Sequence, residues 1–486
     1  MFIPDKIKEM VSKLEREGFE AYIVGGCVRD SLMGKTPTDW DIATNASPEK
    51  IQAIFSNSFY SNEFGTVTVV NSDLNSILKK IEITTYRKED NYSDNRRPDN
   101  VEWVGEIVQD LERRDFTINA IAVKIGRKDK LIFVDPFDGQ IDIEKKIIRA
   151  VGNPKDRFNE DALRLLRAIR FAARLDFEIE KKTQKEIIAS AYLLQKISME
   201  RIRDEFLKII DDKNAYNGIQ MLKEFGLLKY IIPEMEETYN ISQSHHHIYD
   251  VYDHLLYSLK YAVEENFNTD VRMAALLHDI GKPRTTRKEG KVFTFHNHEV
   301  VSTNMTKKIL NRLKFPQKNI EKIVKLVQFH MFYYNVDEVT ESSVRRLIRN
   351  VGLEDIGDLL NLRYCDRIGS GVAKAEPYKL RHLKFLIEKL STDATSVAML
   401  KISGNEVVEI LKERPGPKVG YILNILLGEV IDHQEKNQNE ILRKRTAELS
   451  RLKDEELKKE AEKAKKDINF VKQEEEREIK QKYWVK

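Results

Sequence analysis

Cysteine is scarce in this chain. Its two cysteines in 486 residues, Cys27 and Cys365, are too few and too far apart for a disulfide framework or a thiolate zinc site, so both are expected to be small reduced apolar side chains. Glycine and proline are also few, 21 and 12. With 33% charged residues, that excludes collagen-like or low-complexity structure for the bulk of the chain and favours a helix-rich protein. No stretch approaches the roughly 18 consecutive apolar residues of a membrane-spanning helix. Met1 to Glu20 carries charges every few positions where a secretory signal would have an apolar core. No membrane partner and a cytoplasmic location are therefore expected. A dominant charge sign is missing too, since 82 Lys and Arg face 79 Asp and Glu; the first 150 residues lean acidic and the following segment basic. The length suits about three domains of roughly 150 residues.

The first 150 residues alternate helix and strand signals. Apolar spacing from Lys6 to Gly18 predicts a helix, Ala21 to Val24 is a short apolar strand, and Ser47-Pro48-Glu49 supplies an N-cap, an N1 proline and an acidic first turn. The β-branched runs Thr66 to Val70 and Ile81 to Tyr86 read as adjacent strands, with Ile118 to Ile125 and Leu131 to Val134 as two more. From about residue 155 the pattern turns 3.6-periodic, with stops near Gly226, Gly281 and Pro415-Gly416-Pro417. The stretch from about 433 to 486 lacks Gly and Pro and is dense in Lys and Glu. It reads as a long solvated helix or coiled-coil arm. The expected fold class is α+β, a small mixed sheet with helices followed by an all-helical remainder.

Candidate chemistry begins at Ile23-Val24-Gly25-Gly26-Cys27-Val28-Arg29-Asp30. Two glycines where a strand turns into a helix let backbone amides approach a phosphate, with Arg29 as a charged fork; the same pair also serves turns that hold no ligand. Soon after, Thr38-Asp39-Trp40-Asp41-Ile42 contains an Asp-x-Asp. The strand period of two points both carboxylates to one face, a geometry able to hold one or two Mg²⁺. Glu82, inside the apolar Ile81-Glu82-Ile83, is either a third carboxylate of that site or the polar face of an edge strand.

These segments continue into Glu112-Arg113-Arg114-Asp115-Phe116-Thr117-Ile118-Asn119-Ala120, Asp135-Pro136-Phe137-Asp138-Gly139, Asn159-Glu160-Asp161-Ala162-Leu163-Arg164 and Met199-Glu200-Arg201-Ile202-Arg203-Asp204-Glu205. In this order and spacing they resemble the class II tRNA nucleotidyltransferases and bacterial poly(A) polymerases, whose head belongs to the DNA polymerase β superfamily. The resemblance implies a nucleotidyltransferase head followed by an all-α neck, body and tail that grip the tRNA acceptor end. It also implies that Asp39 and Asp41 hold Mg²⁺, that Gly25, Gly26 and Arg29 contact the triphosphate, and that Arg114 and Asp115 contact the sugar and phosphates of the incoming nucleotide. Two metal ions suit such a transfer, which needs an activated 3′-hydroxyl, a neutralised α-phosphate and a stabilised leaving pyrophosphate.

Asp161 and Arg164 allow a sharper expectation. Residues three apart lie on one helix face, so an acceptor and a forked donor can meet one base edge. Cytosine and adenine share an exocyclic amine beside a ring nitrogen acceptor, whereas uracil and guanine carry a carbonyl in the amine's place. The alternative is an intrahelical ion pair worth about 0.3–0.5 kcal/mol. Arg164, Arg167, Arg170 and Arg174 form a stripe that touches RNA or triphosphate, or is simply solvated. Tyr86 to Pro98, polar and aromatic, reads as a mobile loop. In the resembling family a loop here takes part in switching from C to A addition.

Eight of the ten histidines fall between His245 and His330. Asp253-His254 lies on a helical run, Leu276-Leu277-His278-Asp279-Ile280-Gly281 ends the next, and Phe295-His296-Asn297-His298-Glu299 follows. Imidazoles with carboxylates suit a divalent transition metal. This set resembles the HD phosphohydrolases, which implies His254, His278, Asp279 and Asp366 as ligands, with His298 and His330 as candidates for further ligation or substrate contact.

The expected division is a nucleotidyltransferase head at 1–150, a helical neck at 151–240 for base and RNA binding, an HD domain at 241–370, a helical body and tail for tRNA at 371–450 and a charged extension at 451–486. The expected activity is template-independent addition of CCA, or of the terminal A, to tRNA from CTP and ATP, with a possible second, HD-type hydrolysis of phosphate esters. The alternatives are a poly(A) polymerase, or an HD phosphohydrolase with an RNA-binding head.

Overall fold

The computed structural model describes residues 1–60, 65–71, 78–90, 100–243, 248–289, 292–336, 338–372, 377–391 and 397–485. The chain divides into two compact units: Met1–His330 with Asp358–Val372, and Met331–Gly357 with Ala373–Lys486.

The first unit opens with strands β1 (Ala21–Val24), β2 (Asp41–Thr44), β3 (Ser58–Tyr60), β4 (Thr66–Val70), β5 (Lys80–Thr85), β6 (Arg87–Asp90), β7 (Asn100–Trp103), β8 (Ala122–Ile125) and β9 (Leu131–Val134). Seven of them form one sheet in the order β3-β4-β5-β2-β1-β8-β9, antiparallel except for the β2–β5 pair. The amphipathic Asp5–Arg16 helix buries Ile7, Met10, Val11 and Leu14. Ser47 caps the Pro48–Ile54 helix by accepting from the Lys50 amide, as its sequence predicts. On the side of the sheet that carries Tyr22, Val24 and Ala43, these residues pack with Tyr86, Ile107, Leu111, Ala120 and Val151.

Two expected elements change. The run from Ile118 is not strand throughout: Thr117–Asn119 is a 3₁₀ turn and β8 starts only at Ala122. Phe116 and Ile118 are wholly buried beside that turn, so apolar character there reports the core and not a pleat. The segment read as a loop begins as structure, because Tyr86 is buried and Arg87–Asp90 pairs with β7 as an antiparallel arm; residues 91–99 lie outside the described residues.

Beyond residue 150 the first unit is mainly helical. The Leu163–Leu175 helix buries eleven of its thirteen residues, among the helices Met199–Ile210 and Ala215–Glu224. Helices Val251–Glu264, Thr269–Leu277, His298–Arg312 and Gln317–Phe329 follow, with the part of the Leu353–Gly369 helix from Asp358 onward. Cys27 and Cys365 are both free and buried. No helix among the described residues is long and apolar enough to cross a membrane.

The C-terminal stretch is helical as expected, but divided into two helices, Asn439–Leu449 and Asp454–Tyr483. The 30-residue helix buries Leu457, Ala461 and Ile468 in a core shared with Ile422, Ile425, Leu426 and Val430. One apolar residue every three to seven positions suffices to seat one face, and the dense Lys and Glu cover the other.

Candidate active site and metal centre

The sheet register assembles a cavity. Val24 at the end of β1 pairs with Asp41 at the start of β2, and Asp41 pairs with Glu82 of the parallel strand β5. In-register neighbours point to one face, so Asp41 and Glu82 present their carboxylates together. Asp39 joins them differently from the expectation: it lies in the loop before β2, separated from Asp41 by the buried Trp40. β5 lies between β4 and β2, so Glu82 stands on an interior strand and not on an edge. All three line a cavity of about 560 Å³ together with Gly25, Gly26, Arg29, Arg113, Arg114, Asp115, Asp161, Arg164 and Arg201.

Electrostatics sets what this cavity accepts. The Asp41 carboxyl is pushed up to about 7, first by burial, which the Arg114 guanidinium opposes, and further by Asp39 and Glu82. A buried carboxylate crowded by two others suits a hard divalent cation with oxygen ligands. The three do not converge as tightly as the histidine centre below. Among the described residues, the only groups of three or more His, Cys, Asp or Glu donors all within 4.8 Å of one another lie at His254 and beyond.

The opposite wall is built from arginines held by buried carboxylates. Asp110, fully enclosed, accepts from Arg113 Nη2 at 2.6 Å and from Arg114 Nη2 at 3.1 Å. Burial pushes its carboxyl up, but the two guanidinium groups overcome this and hold it below the ordinary value. Asp115 accepts from the Phe116 amide, Asn119 Nδ2 and Arg167. Against burial, Arg167 and Arg164 hold it at about 2. Arg29 donates to Asn119 Oδ1 at 2.7 Å, and Arg29, Arg167 and Arg170 all lie against the Phe171 ring. The arginine stripe is thus part of the cavity wall, with Arg164 and Arg170 buried and Arg174 exposed at its rim. Gly25 has φ +80°, and a Cβ there would sit 2.9 Å from Arg114 Nη1. The positive φ is what calls for glycine at this position.

Asp161 and Arg164 line the cavity together, but not on one helix. The Pro154–Glu160 helix ends before Asp161, whose backbone is extended, and the next helix starts at Leu163. Asp161 Oδ1 accepts from the Leu163 amide and Oδ2 from Arg201 Nη2. Arg164 donates instead to Glu160, to the Arg157 carbonyl and to the Arg113 carbonyl. The expected Asp161–Arg164 alternative, an ion pair between the two, is replaced by separate partners for each.

The histidine cluster forms a second centre. His254 Nε2 lies 3.0 Å from His278 Nε2, 3.1 Å from Asp279 Oδ2 and 3.4 Å from Asp366 Oδ1. Asp279 Oδ1 faces His298 Nε2 at 3.1 Å and His330 Nε2 at 3.5 Å. Gly369 permits this convergence, since a Cβ there would meet Ser258 Oγ at 2.1 Å and the His254 carbonyl at 2.8 Å. The helix bearing Asp366 can therefore lie against the helix bearing His254. Burial lowers the proton affinity of His278, but Asp279 and Asp366 outweigh it and push the imidazole up to about 9. Asp279 and Asp366 are held well below the ordinary range despite burial, chiefly by Lys282 for the first and by His254 for the second. Asp279 Oδ1, His298 Nε2 and His330 Nε2 are buried without a hydrogen-bond partner, and that donor set fits one or two divalent transition ions. His296 is exposed, and His245, His246 and His247 lie outside the described residues.

Sequence reasoning missed Asp110, Asn119 and Lys282, and gave Arg201 no role. Asp110 carried a signal: it stands three and four residues before Arg113 and Arg114 on a helix. Arg201 carried only its place in the Met199–Glu205 segment, because its partner is 40 residues away.

Known families match along the chain: residues 21–149 the Poly A polymerase head domain, 176–238 the family described as "Probable RNA and SrmB- binding site of polymerase A", and 251–351 the HD domain. The CCA-adding enzyme of Ligilactobacillus salivarius is 34% identical over 446 residues, covering 90% of this chain and 96% of that protein. The chain belongs to the CCA-adding tRNA nucleotidyltransferase family. Another CCA-adding enzyme, from Lactococcus lactis, is 46% identical over 232 residues, 48% of this chain and 56% of that protein. The crystal structure of the Bacillus stearothermophilus CCA-adding enzyme in complex with CTP matches with a TM-score of 0.62 and 26% identity, covering 93% of this chain and 98% of that one. The α+β architecture described above is that of these CCA-adding enzymes.

Proposed function

We propose that this protein adds CCA to the 3′-end of tRNA from CTP and ATP without a nucleic-acid template. The observation that carries the reading is the meeting, on one 560 Å³ cavity, of a carboxylate wall, an arginine wall and the Asp161–Arg164 pair. When bound at Asp39 and Asp41, with Glu82 beside them, Mg²⁺ supplies the charge neutralisation and hydroxyl activation of nucleotidyl transfer. Arg29 and Arg114, with the backbone of Gly25 and Gly26, take the triphosphate, and Asp115 orients Arg167 and accepts from the nucleotide sugar. Asp161 accepts from the exocyclic amine of C or A, and Arg164 donates to the adjacent ring nitrogen. Of the five N–H groups on that guanidinium, protein partners take three, leaving two for a base. U or G would place a carbonyl against Asp161 and leave it unpaired, a penalty of about 1–3 kcal/mol. The proposed division of labour is a head at 1–150, a neck at 151–240, an HD domain at 241–370, a tRNA-gripping body and tail at 371–450, and an extension at 451–486.

The test is a primer assay with all four nucleotides. A tRNA lacking its CCA end should gain three nucleotides and stop, with U and G refused. Continued A addition to an oligo(A) primer would instead mark a poly(A) polymerase, the name attached to the matching head domain.

A second activity is proposed at the histidine centre, on the strength of its two donor groups sharing Asp279. His254, His278, Asp279 and Asp366 would hold a divalent transition ion, with His298 and His330 as further ligands. Such an ion supplies a water of lowered pKa for hydrolysis of phosphate esters. Hydrolysis of a phosphomonoester or cyclic phosphodiester that depends on added Ni²⁺ or Mn²⁺ is the expected result.

A further inference from the structure

Asp161 cannot read a base unless its carboxylate plane is fixed, and its own helix does not fix it. The residue has extended backbone between two helices, so its orientation comes from hydrogen bonds. The Leu163 amide holds Oδ1 at 3.1 Å, and Arg201 Nη2, from the separate Met199–Ile210 helix, holds Oδ2 at 2.9 Å. Each carboxylate oxygen has two acceptor sites. One contact to each therefore orients the group and still leaves an acceptor site free on both oxygens. Arg201 lines the same cavity, and its Nη1 is buried with no hydrogen-bond partner. The Met199–Ile210 helix is itself tied to the cavity wall one turn further on, where Glu205 pairs with Arg170 at 3.0 Å.

We propose that Arg201 is a positioning residue for nucleotide selection, holding the Asp161 carboxylate in the plane that accepts the amine of C or A. The inference rests on the reading of Asp161 as the acceptor for that amine. With Arg201 removed, the carboxylate can rotate about its side-chain torsions and meet water, so the penalty against a carbonyl at that place falls. Binding of the triphosphate depends on the other wall, so nucleotide affinity should change less than selectivity.

The experiment measures kcat/KM for CTP, ATP, UTP and GTP with a truncated tRNA, using the full-length protein and its variants Arg201→Ala, Arg201→Lys, Asp161→Ala and the double variant Arg201→Ala/Asp161→Ala. The preference for C and A over U and G should fall about tenfold or more in Arg201→Ala, with Arg201→Lys restoring part of it. The double variant should be no less selective than Asp161→Ala alone, because both changes remove one interaction. If Asp161→Ala relaxes selectivity and Arg201→Ala does not, the proposal is overturned while the base-reading role of Asp161 stands. If Asp161→Ala leaves selectivity intact, that role fails first. Equal loss with all four nucleotides in Arg201→Ala, accompanied by a lowered melting temperature, would make Arg201 merely structural and also overturn the proposal.

Discussion

Asp110 Oδ2 lies 3.1 Å from Arg114 Nη2, and the carboxylate that makes this contact has no exposure to solvent. It also holds Arg113, so a single buried charge fixes two guanidinium groups on the wall of the cavity. Replacing Asp110 with Ala removes the buried anion that holds both guanidinium groups, and a loss of roughly 3–5 kcal/mol is expected. Chemical denaturation measures that loss. In a variant that remains folded at low temperature, KM for both CTP and ATP should rise together, since the triphosphate and not the base is affected.

A pH dependence follows from Asp41. Its carboxyl is raised by burial, with Asp39 and Glu82 adding to the effect, to about 7, from 3.8 in an unfolded chain. The unfolded form therefore loses its proton first. The stabilisation is complete below pH 3.8, declines as pH rises, and is lost once pH passes about 7. Asp41→Asn should flatten this slope in the metal-free protein and raise stability at pH 8 by roughly 1–3 kcal/mol, less than the full shift because the cavity is open to water. Thermal melts in chelator from pH 5 to 8 check it. Added Mg²⁺ should stabilise the wild type at pH 8 and not the variant, which should also have lost nucleotide addition.

The two centres use separate residues, so their activities should be separable. Asp39→Ala is expected to remove nucleotide addition and spare phosphate-ester hydrolysis. Asp279→Asn should do the reverse, because it weakens both histidine groups at once. Metal content after dialysis against Ni²⁺, measured beside both activities, distinguishes a lost site from a lost fold. An unchanged metal content in Asp279→Asn would count against the proposed ligands.

The C-terminal helix gives a stability prediction. Leu457 is fully buried in the core of the second unit, so Leu457→Ala should cost about 2–5 kcal/mol. A solvated arm would predict no measurable change. Differential scanning calorimetry of the full chain decides between them.

Much of the head was legible in the sequence because its signals are local. A serine cap before Pro48, β-branched runs for β4 and β5, and a glycine pair after β1 each act within a few residues, and each forms the element its pattern predicts. The exceptions share a cause. Ile118 reads as strand because it is apolar, yet it is buried in a turn. Spacing alone places Asp39 on a strand and Asp161 on a helix, and in both cases the regular element stops one or two residues short. Periodicity tells which face a side chain takes inside an element but says little about where the element ends.

The sequence by itself determined the inventory: which residue types are present, in what order, and hence the family and the two candidate centres. Only the tertiary structure decided who partners whom. Asp41 meets Glu82 through a parallel register, Asp161 meets Arg201 across two helices, and Asp279 stands between two histidine pairs from four different segments. The first two contacts join residues about 40 positions apart. Their energies depend on burial and on the exclusion of competing water, which a linear pattern does not record.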